Sequence, residues 1–363
     1  MTYVIDGHND LPIALREAGL VVEDVDLVGG LPDLQTDLPR MRRGQVGGQF
    51  WSVFVPASYS GERAVTATLE QIDLVRRMVA RHPDVLALCT TADEVEAAVV
   101  SGRIASLIGM EGGHSINDSL GVLRMMHVLG ARYMTLTHNE NVSWADSATD
   151  EPEHGGLTGF GRDVVREMNR LGMFVDLSHV SVPVMHQALD VSTAPVIFSH
   201  SAARSVCDTP RNVPDDVLAR LPDNGGVCMT ALVGMFVKQD IADWFRSCLD
   251  LVAERGGDPR DYASVMAVVA ERRSVAPVPT CTAGDVADHV EHIREVAGLA
   301  HVGIGSDYDG APVFPVDMPD VSGFPRLFEV LRERRWSESE LAALGHGNVL
   351  RAMRAMESAA TAG

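Results

Sequence analysis

The chain has a single lysine, Lys238, among 30 basic residues, and basic charge is scarce altogether. Its 50 acidic residues leave a formal net charge of −20. Phosphate binding requires a basic face, so this balance argues against a nucleic-acid partner. Long apolar runs are missing too: none approaches the roughly 18 residues a membrane span needs. The five cysteines are scattered, odd in number and lack C-x-x-C spacing, which argues against a disulfide framework. They are expected to be reduced, mostly buried thiols of a cytosolic protein. The N-terminus shows no basic and apolar leader, and "RAMRAMESAATAG" has no hydrophobic anchor tail. A cytoplasmic location without a membrane partner is therefore expected.

What the chain does have is a rhythm. Runs rich in β-formers fall at 3–8, 48–55, 105–111, 133–138, 173–179, 195–200, 226–232 and 301–307. Helical patterns separate most of them, at 64–81, 182–189, 286–296 and 337–356. Phe160, Val164, Met168 and Leu171 form the apolar stripe of another helix. Near-continuous apolar strands alternating with helices point to a parallel sheet covered on both faces. Eight such units predict a (β/α)8 TIM barrel, α/β in class, formed by one domain over residues 1–363. The excess length sits at 236–279, between the seventh and eighth strands, as two helix-like segments able to cover the barrel mouth. A doubly wound open sheet is the alternative, but no Gly-rich phosphate turn follows the first strand.

The strands end in ionisable residues. "DGHND" closes the first with His8 and Asp10, "GMEGG" the third with Glu111, and "LTH" the fourth with His138. "VDLSH" brings His179, "FSH" His200, and "GSDYDG" Asp307 and Asp309. A lone terminal histidine is more often a structural hydrogen-bonding residue. Ionisable ends on six strands that converge on one barrel face instead describe an active site. Imidazoles and carboxylates without thiolates suit Zn²⁺ or a similar first-row ion. His8 and Asp10 can hold one ion and His179 and His200 a second, with Glu111 placed to bridge. Two such ions sharing a hydroxide would give a hydrolase its nucleophile.

Other chemistries fit less well. Lys238 lies outside any strand end, so no carboxylated lysine can bridge ions. Mononuclear deaminase-type barrels open with H-x-H where this chain has H-x-D, and no G-x-S-x-G elbow is present. "GSDYDG" lacks the later acidic ligands of a calcium loop. Arg211, in "FSHSAARSVCDTPRNVPDD", can grip a substrate carboxylate with its fork. Pairing with Asp215 or Asp216 at a helix start remains its structural alternative. Asn212 is a candidate cap for that helix, with Pro214 in its first turn.

"DGHNDLP", "GMEGG", "LTHNENVSWAD", "VDLSHVS", "FSHSAARSVCDTPRNVPDD" and "GSDYDG", in that order, resemble the membrane (renal) dipeptidase family of the amidohydrolase superfamily. The likeness runs from the first strand to Leu350. It implies a binuclear zinc barrel that cleaves dipeptides, with two Zn²⁺ per chain bridged by Glu111 and a hydroxide. His8 and Asp10 would bind the first zinc, and His179 and His200 the second. His138 would stabilise the oxyanion, Arg211 bind the C-terminal carboxylate, and Asp307 contact the α-amino group or relay a proton. The family's aromatic residue after the seventh strand has no clear match, and Val233 stands in that region. L-D dipeptides are among the substrates implied. The competing function is another metal-dependent amidohydrolase acting on an N-acyl amino acid, lactone or cyclic amide. A binding protein with a dead metal site would lack a ligand, and none is missing. A homodimer is the one assembly considered.

Overall fold

The computed structural model describes residues 2–260 and 262–360. Among them are nine strands: β1 (Val4–Asn9), β2 (Val46–Phe54), β3 (Leu86–Leu88), β4 (Ile104–Glu111), β5 (Ala131–Thr135), β6 (Phe174–Asp176), β7 (Ile197–Ser201), β8 (Val227–Thr230) and β9 (Val302–Ile304). All pairings between them are parallel, and β2 pairs with both β1 and β4. That pairing closes eight strands into the barrel. β3 is the element absent from the sequence-based set. It pairs with Ile104–Ser106 at the start of β4, below the stretch from Ile108 that β5 takes. Three residues of pairing carry too little pattern to stand out in a sequence.

Helices cover the outside as the spacing predicts. Glu62–Arg81, Gly159–Leu171, Val182–Val191 and Ala283–Ala297 match the expected segments with ends shifted by a few residues. Their starts are fixed by side-chain caps such as Thr158 on the Gly161 amide, and the Thr282–Asp285 capping box. The predicted helix at 337–356 is broken. Glu338–Ala342 and Asn348–Ala359 flank a π-helical turn, Ala343–Gly347. There His346 stacks on Tyr3 with ring centroids 3.8 Å apart and bonds the Tyr3 carbonyl at 3.1 Å. The local bulge turns the chain onto the start of β1.

One buried cluster joins Ile5, Phe50, Leu107, Tyr133 and Met229 of the strands to Val349, Leu350 and Met353 of the last helix. The barrel is thus a packed core plugged at its amino end. A larger cluster packs Val53, Ile108, Met110 and Met134 against helix residues that include Val75, Met78 and Val164. The 236–279 segment contains Gly234–Val237 at its start, then Gln239–Glu254 and Tyr262–Arg273. Arg255 and Glu271 tie the two longer helices together at 2.7 Å. Arg260 reaches Asp150, in the loop after β5, at 2.9 Å.

Candidate metal centre

The carboxyl ends of β1, β4 and β7 and the loops after β5 and β6 bring the predicted residues together. Ligand atoms of three sets, His8–Asp10–Glu111, Glu111–His138–His179 and His8–His200–Asp307, lie within 4.8 Å of one another. Glu111 sits at the middle. Its Oε2 is 3.3 Å from His8 Nε2, while Oε1 is 3.0 Å from His179 Nε2 and 3.6 Å from His200 Nε2. Asp10 Oδ2 lies 3.3 Å from the same nitrogen of His8. The two carboxylate oxygens therefore serve two different halves of one site.

The surroundings orient these ligands. Nδ1 of His8 meets the Tyr133 hydroxyl at 2.7 Å, and that hydroxyl donates to the Gly7 carbonyl at 3.3 Å. Nδ1 of His200 meets Ser199 Oγ at 2.8 Å, and Ser199 in turn donates to Asp176 at 2.6 Å. Each ring then presents Nε2 to the centre, the usual arrangement behind a metal-ligating histidine. Asp6 does for β9 what Asp176 does for β7, accepting from the Ser306 amide and hydroxyl at 2.6 Å each.

The donor set fits a cation. His8 Nε2 and Asp10 Oδ1 are buried without a hydrogen-bond partner in the described residues. With Nδ1 as the donor, Nε2 of His8 points a lone pair at two carboxylate oxygens, and only a positive charge between them satisfies all three. The electrostatics agree. Burial alone would push the pKa of His8 down, yet Tyr133, Glu111 and Asp10 hold it well above 6.5, so this point of the site draws positive charge, either a proton on Nε2 or a cation in that proton's place. Gly310 also leaves room here, since a Cβ on it would lie 2.1 Å from Asp10 Oδ2 and 2.6 Å from Asp307 Oδ1.

His138 is not in a strand, as the sequence suggested, but three residues past the end of β5. Its loop is pinned by Ser147, whose hydroxyl donates to the His138 carbonyl at 2.6 Å. The ring lies between Phe54 and His179, with Nε2 3.9 Å from Glu111 Oε1. Burial lowers its pKa to about 4, so the imidazole is neutral near pH 7. His179 and Asp307 adopt left-handed backbone with φ of 67° and 65°. Such conformations in non-glycine residues gather at functional sites. Burial and the nearby Asp10 raise the pKa of Asp307 well above 3.8.

Arg211 is buried, 4% exposed, and donates weakly to Ser201 Oγ and the His200 carbonyl, both at 3.3 Å. Its Nε has no partner in the described residues. The helix-start alternative fails: Asp215 pairs with His292 at 2.8 Å and Asp216 with His186 at 3.1 Å. Asn212 is no cap either. It is buried, accepting from the Ala202 amide and donating to the Cys207 and Phe236 carbonyls, while Pro214 takes the N-cap position. Phe236, rather than Val233, brings an aromatic ring to the site, 5.0 Å from the Arg211 guanidinium carbon. Asp309 turns away to the Gln35 amide at 2.6 Å, and Lys238 pairs with Asp285 at 3.1 Å.

Sequence reasoning missed Tyr133, Asp176, Ser199 and Ser52, whose hydroxyl meets Glu111 Oε2 at 3.1 Å. A signal existed for Asp6 and Asp176: each is a carboxylate inside an otherwise apolar strand, a few residues before a ligand histidine. Nothing in the sequence marks Tyr133, because its partner His8 is 125 residues away.

A closed parallel barrel with convergent imidazoles and carboxylates at its carboxyl ends defines a metal-site barrel protein. The family model for "Membrane dipeptidase (Peptidase family M19)" matches residues 1–362, and the chain belongs to that family. It is 44% identical to Dipeptidase 3 of Rattus norvegicus over 360 residues, 98% of this chain and 65% of that protein. The chain thus spans just under two thirds of that relative's length. An uncharacterized dipeptidase of Schizosaccharomyces pombe is 41% identical over 98% of this chain and 81% of its own. Among solved structures, a metallopeptidase from Rhodobacter sphaeroides, liganded with a phosphinate mimic of the dipeptide L-Ala-D-Ala, superposes with a TM-score of 0.81. The two share 25% identity over 98% of this chain and 99% of that one. A further M19 metallopeptidase, dipeptidase AC, gives 0.82 at 26% identity over 98% of both chains.

Proposed function

We propose that the chain is a binuclear zinc dipeptidase that hydrolyses short dipeptides, those with a D-residue in second position included. The observation that carries this reading is the division of Glu111 between His8 on one side and His179 and His200 on the other. In it His8 and Asp10 hold the first ion, His179 and His200 the second, and Glu111 both. Ions bound there supply Lewis-acid polarisation of the carbonyl and a water of lowered pKa.

The protein's own groups handle the rest of the substrate. Arg211, with an unused Nε and no ion-pair partner among the described residues, takes the C-terminal carboxylate through its fork. His138, neutral and beside Glu111, donates a hydrogen bond from its ring to the carbonyl oxygen as negative charge builds there. Asp307, across the site beside His8 and Asp10, accepts the free α-amino group or passes a proton to the departing amine. A substrate held at both ends by Arg211 and Asp307 is a short zwitterion. The L-Ala-D-Ala mimic in the Rhodobacter relative supports the L-D part of the proposal. The five free, buried cysteines support the cytoplasmic location.

An amidohydrolase for N-acyl amino acids would use Arg211 in the same way but leave Asp307 without its amine. The test is a rate comparison on the zinc-loaded chain: L-L and L-D dipeptides, N-acetylated amino acids, lactones and cyclic amides. Free dipeptides are expected to be turned over fastest; preference for N-acyl amino acids or lactones overturns the reading.

A further inference from the structure

The two halves of the centre are not electrostatically equal. On one side the carboxylate of Asp10 faces His8 at 3.3 Å, while Asp307 is grouped with His8 and His200 together and so borders both halves. On the other, His179 and His200 offer neutral imidazoles, and their one anionic neighbour within 4.0 Å in the described residues is the shared Glu111. A buried cation stands behind that second half: Arg211 Nη2 contacts the carbonyl of His200 itself, and Nη1 the next residue, Ser201. Asp215 and Asp216, the carboxylates that follow Arg211 in sequence, are engaged by His292 and His186. Phe236 covers the guanidinium, so water screens it poorly.

Resting on the binuclear reading, we infer that Arg211 couples the two ligands of this site: unpaired, it weakens the ion held by His179 and His200, and a carboxylate docked on it restores that ion's affinity. The warrant is charge alone. A divalent ion and a guanidinium in one desolvated pocket repel each other, and an anion on the guanidinium cancels that repulsion. The relation is reciprocal, so the second ion must tighten carboxylate binding by the same factor. Arg211 then does more than grip substrate. It makes the second half of the centre fill best when the substrate class carrying a free carboxylate is present.

The experiment is calorimetric titration of the metal-stripped chain with Zn²⁺, with and without propionate as a weak monocarboxylate probe. Two stages of unequal affinity are expected, and propionate should tighten only the weaker one. Arg211→Met should strengthen the weaker stage by at least about tenfold and abolish the propionate effect. Arg211→Lys, which keeps the charge and loses the fork, should leave the weaker stage weak. That variant separates charge from packing should the methionine chain fold poorly, which a thermal melt of both would reveal. Propionate acting equally on wild type and Arg211→Met would mean that it binds the ion directly, and the inference falls. Two equal stages in the wild type also overturn it, while a single stage of one ion overturns the binuclear reading instead.

Discussion

The hydroxyl of Tyr133 meets Nδ1 of His8 at 2.7 Å, across the barrel from β5 to β1. This contact leaves Nε2 as the one ring nitrogen facing the metal centre. Removing such a partner typically costs ten- to a hundredfold in metal affinity. On the two-zinc proposal, Tyr133→Phe should therefore weaken one ion by about that factor, measured by chelator competition. Ser199→Ala should do the same to the other ion through His200, and an unchanged affinity in either variant would disprove the assignment.

Glu111→Gln keeps the shape of the side chain and removes the charge shared between both halves. Its oxygens face His8 and His179 at 3.3 and 3.0 Å, so an amide can place an oxygen on one side only. Elemental analysis should find fewer than two ions per chain, with most turnover lost. Far-UV circular dichroism should be unchanged, which separates a broken bridge from a broken barrel.

Arg211→Met tests the clamp on substrate rather than on metal. A charge-assisted contact of this type contributes on the order of 1.5–3 kcal/mol. At about 1.4 kcal/mol per tenfold, kcat/KM on free dipeptides should fall by roughly ten- to a hundredfold. The penalty should nearly vanish on dipeptide amides, which have no carboxylate. A variant that still discriminates between the two as the wild type does would remove Arg211 from the substrate site.

Gly109 lies under Tyr133: a Cβ there would be 2.0 Å from the ring carbon that bears the hydroxyl. Gly109→Ala should force the ring away from His8, at a cost of about 1–3 kcal/mol in stability. Zinc affinity should drop with it. Gly159→Ala is the control, because its Cβ would meet nothing within 4 Å. Equal melting temperatures for the two variants would show that the ring has room to move.

The barrel was legible because its eight strands are apolar runs, six of them with an ionisable residue near the carboxyl end, and strand β3 escaped because three residues show no period. The ligands were legible for the same reason, each standing at or just beyond a strand end. The left-handed turns that aim His179 and Asp307 are a backbone property that neither side chain advertises. Arg211 was legible as a cation on the right face, but its two possible partnerships could be separated only once Asp215 and Asp216 were seen bound to histidines. Asn212 misled because a polar residue before a helix resembles a cap, whereas here it holds a buried loop to β7 and Phe236. Supports such as Tyr133 and Ser199 come from tertiary contact, which spacing along one strand does not encode.

The most direct test of the two-ion account is the rate of L-Ala-D-Ala hydrolysis while zinc is returned stepwise to the metal-stripped chain. The account predicts little activity at one equivalent and full activity only as the second is bound. Full activity at a single equivalent, or none at any, would contradict it.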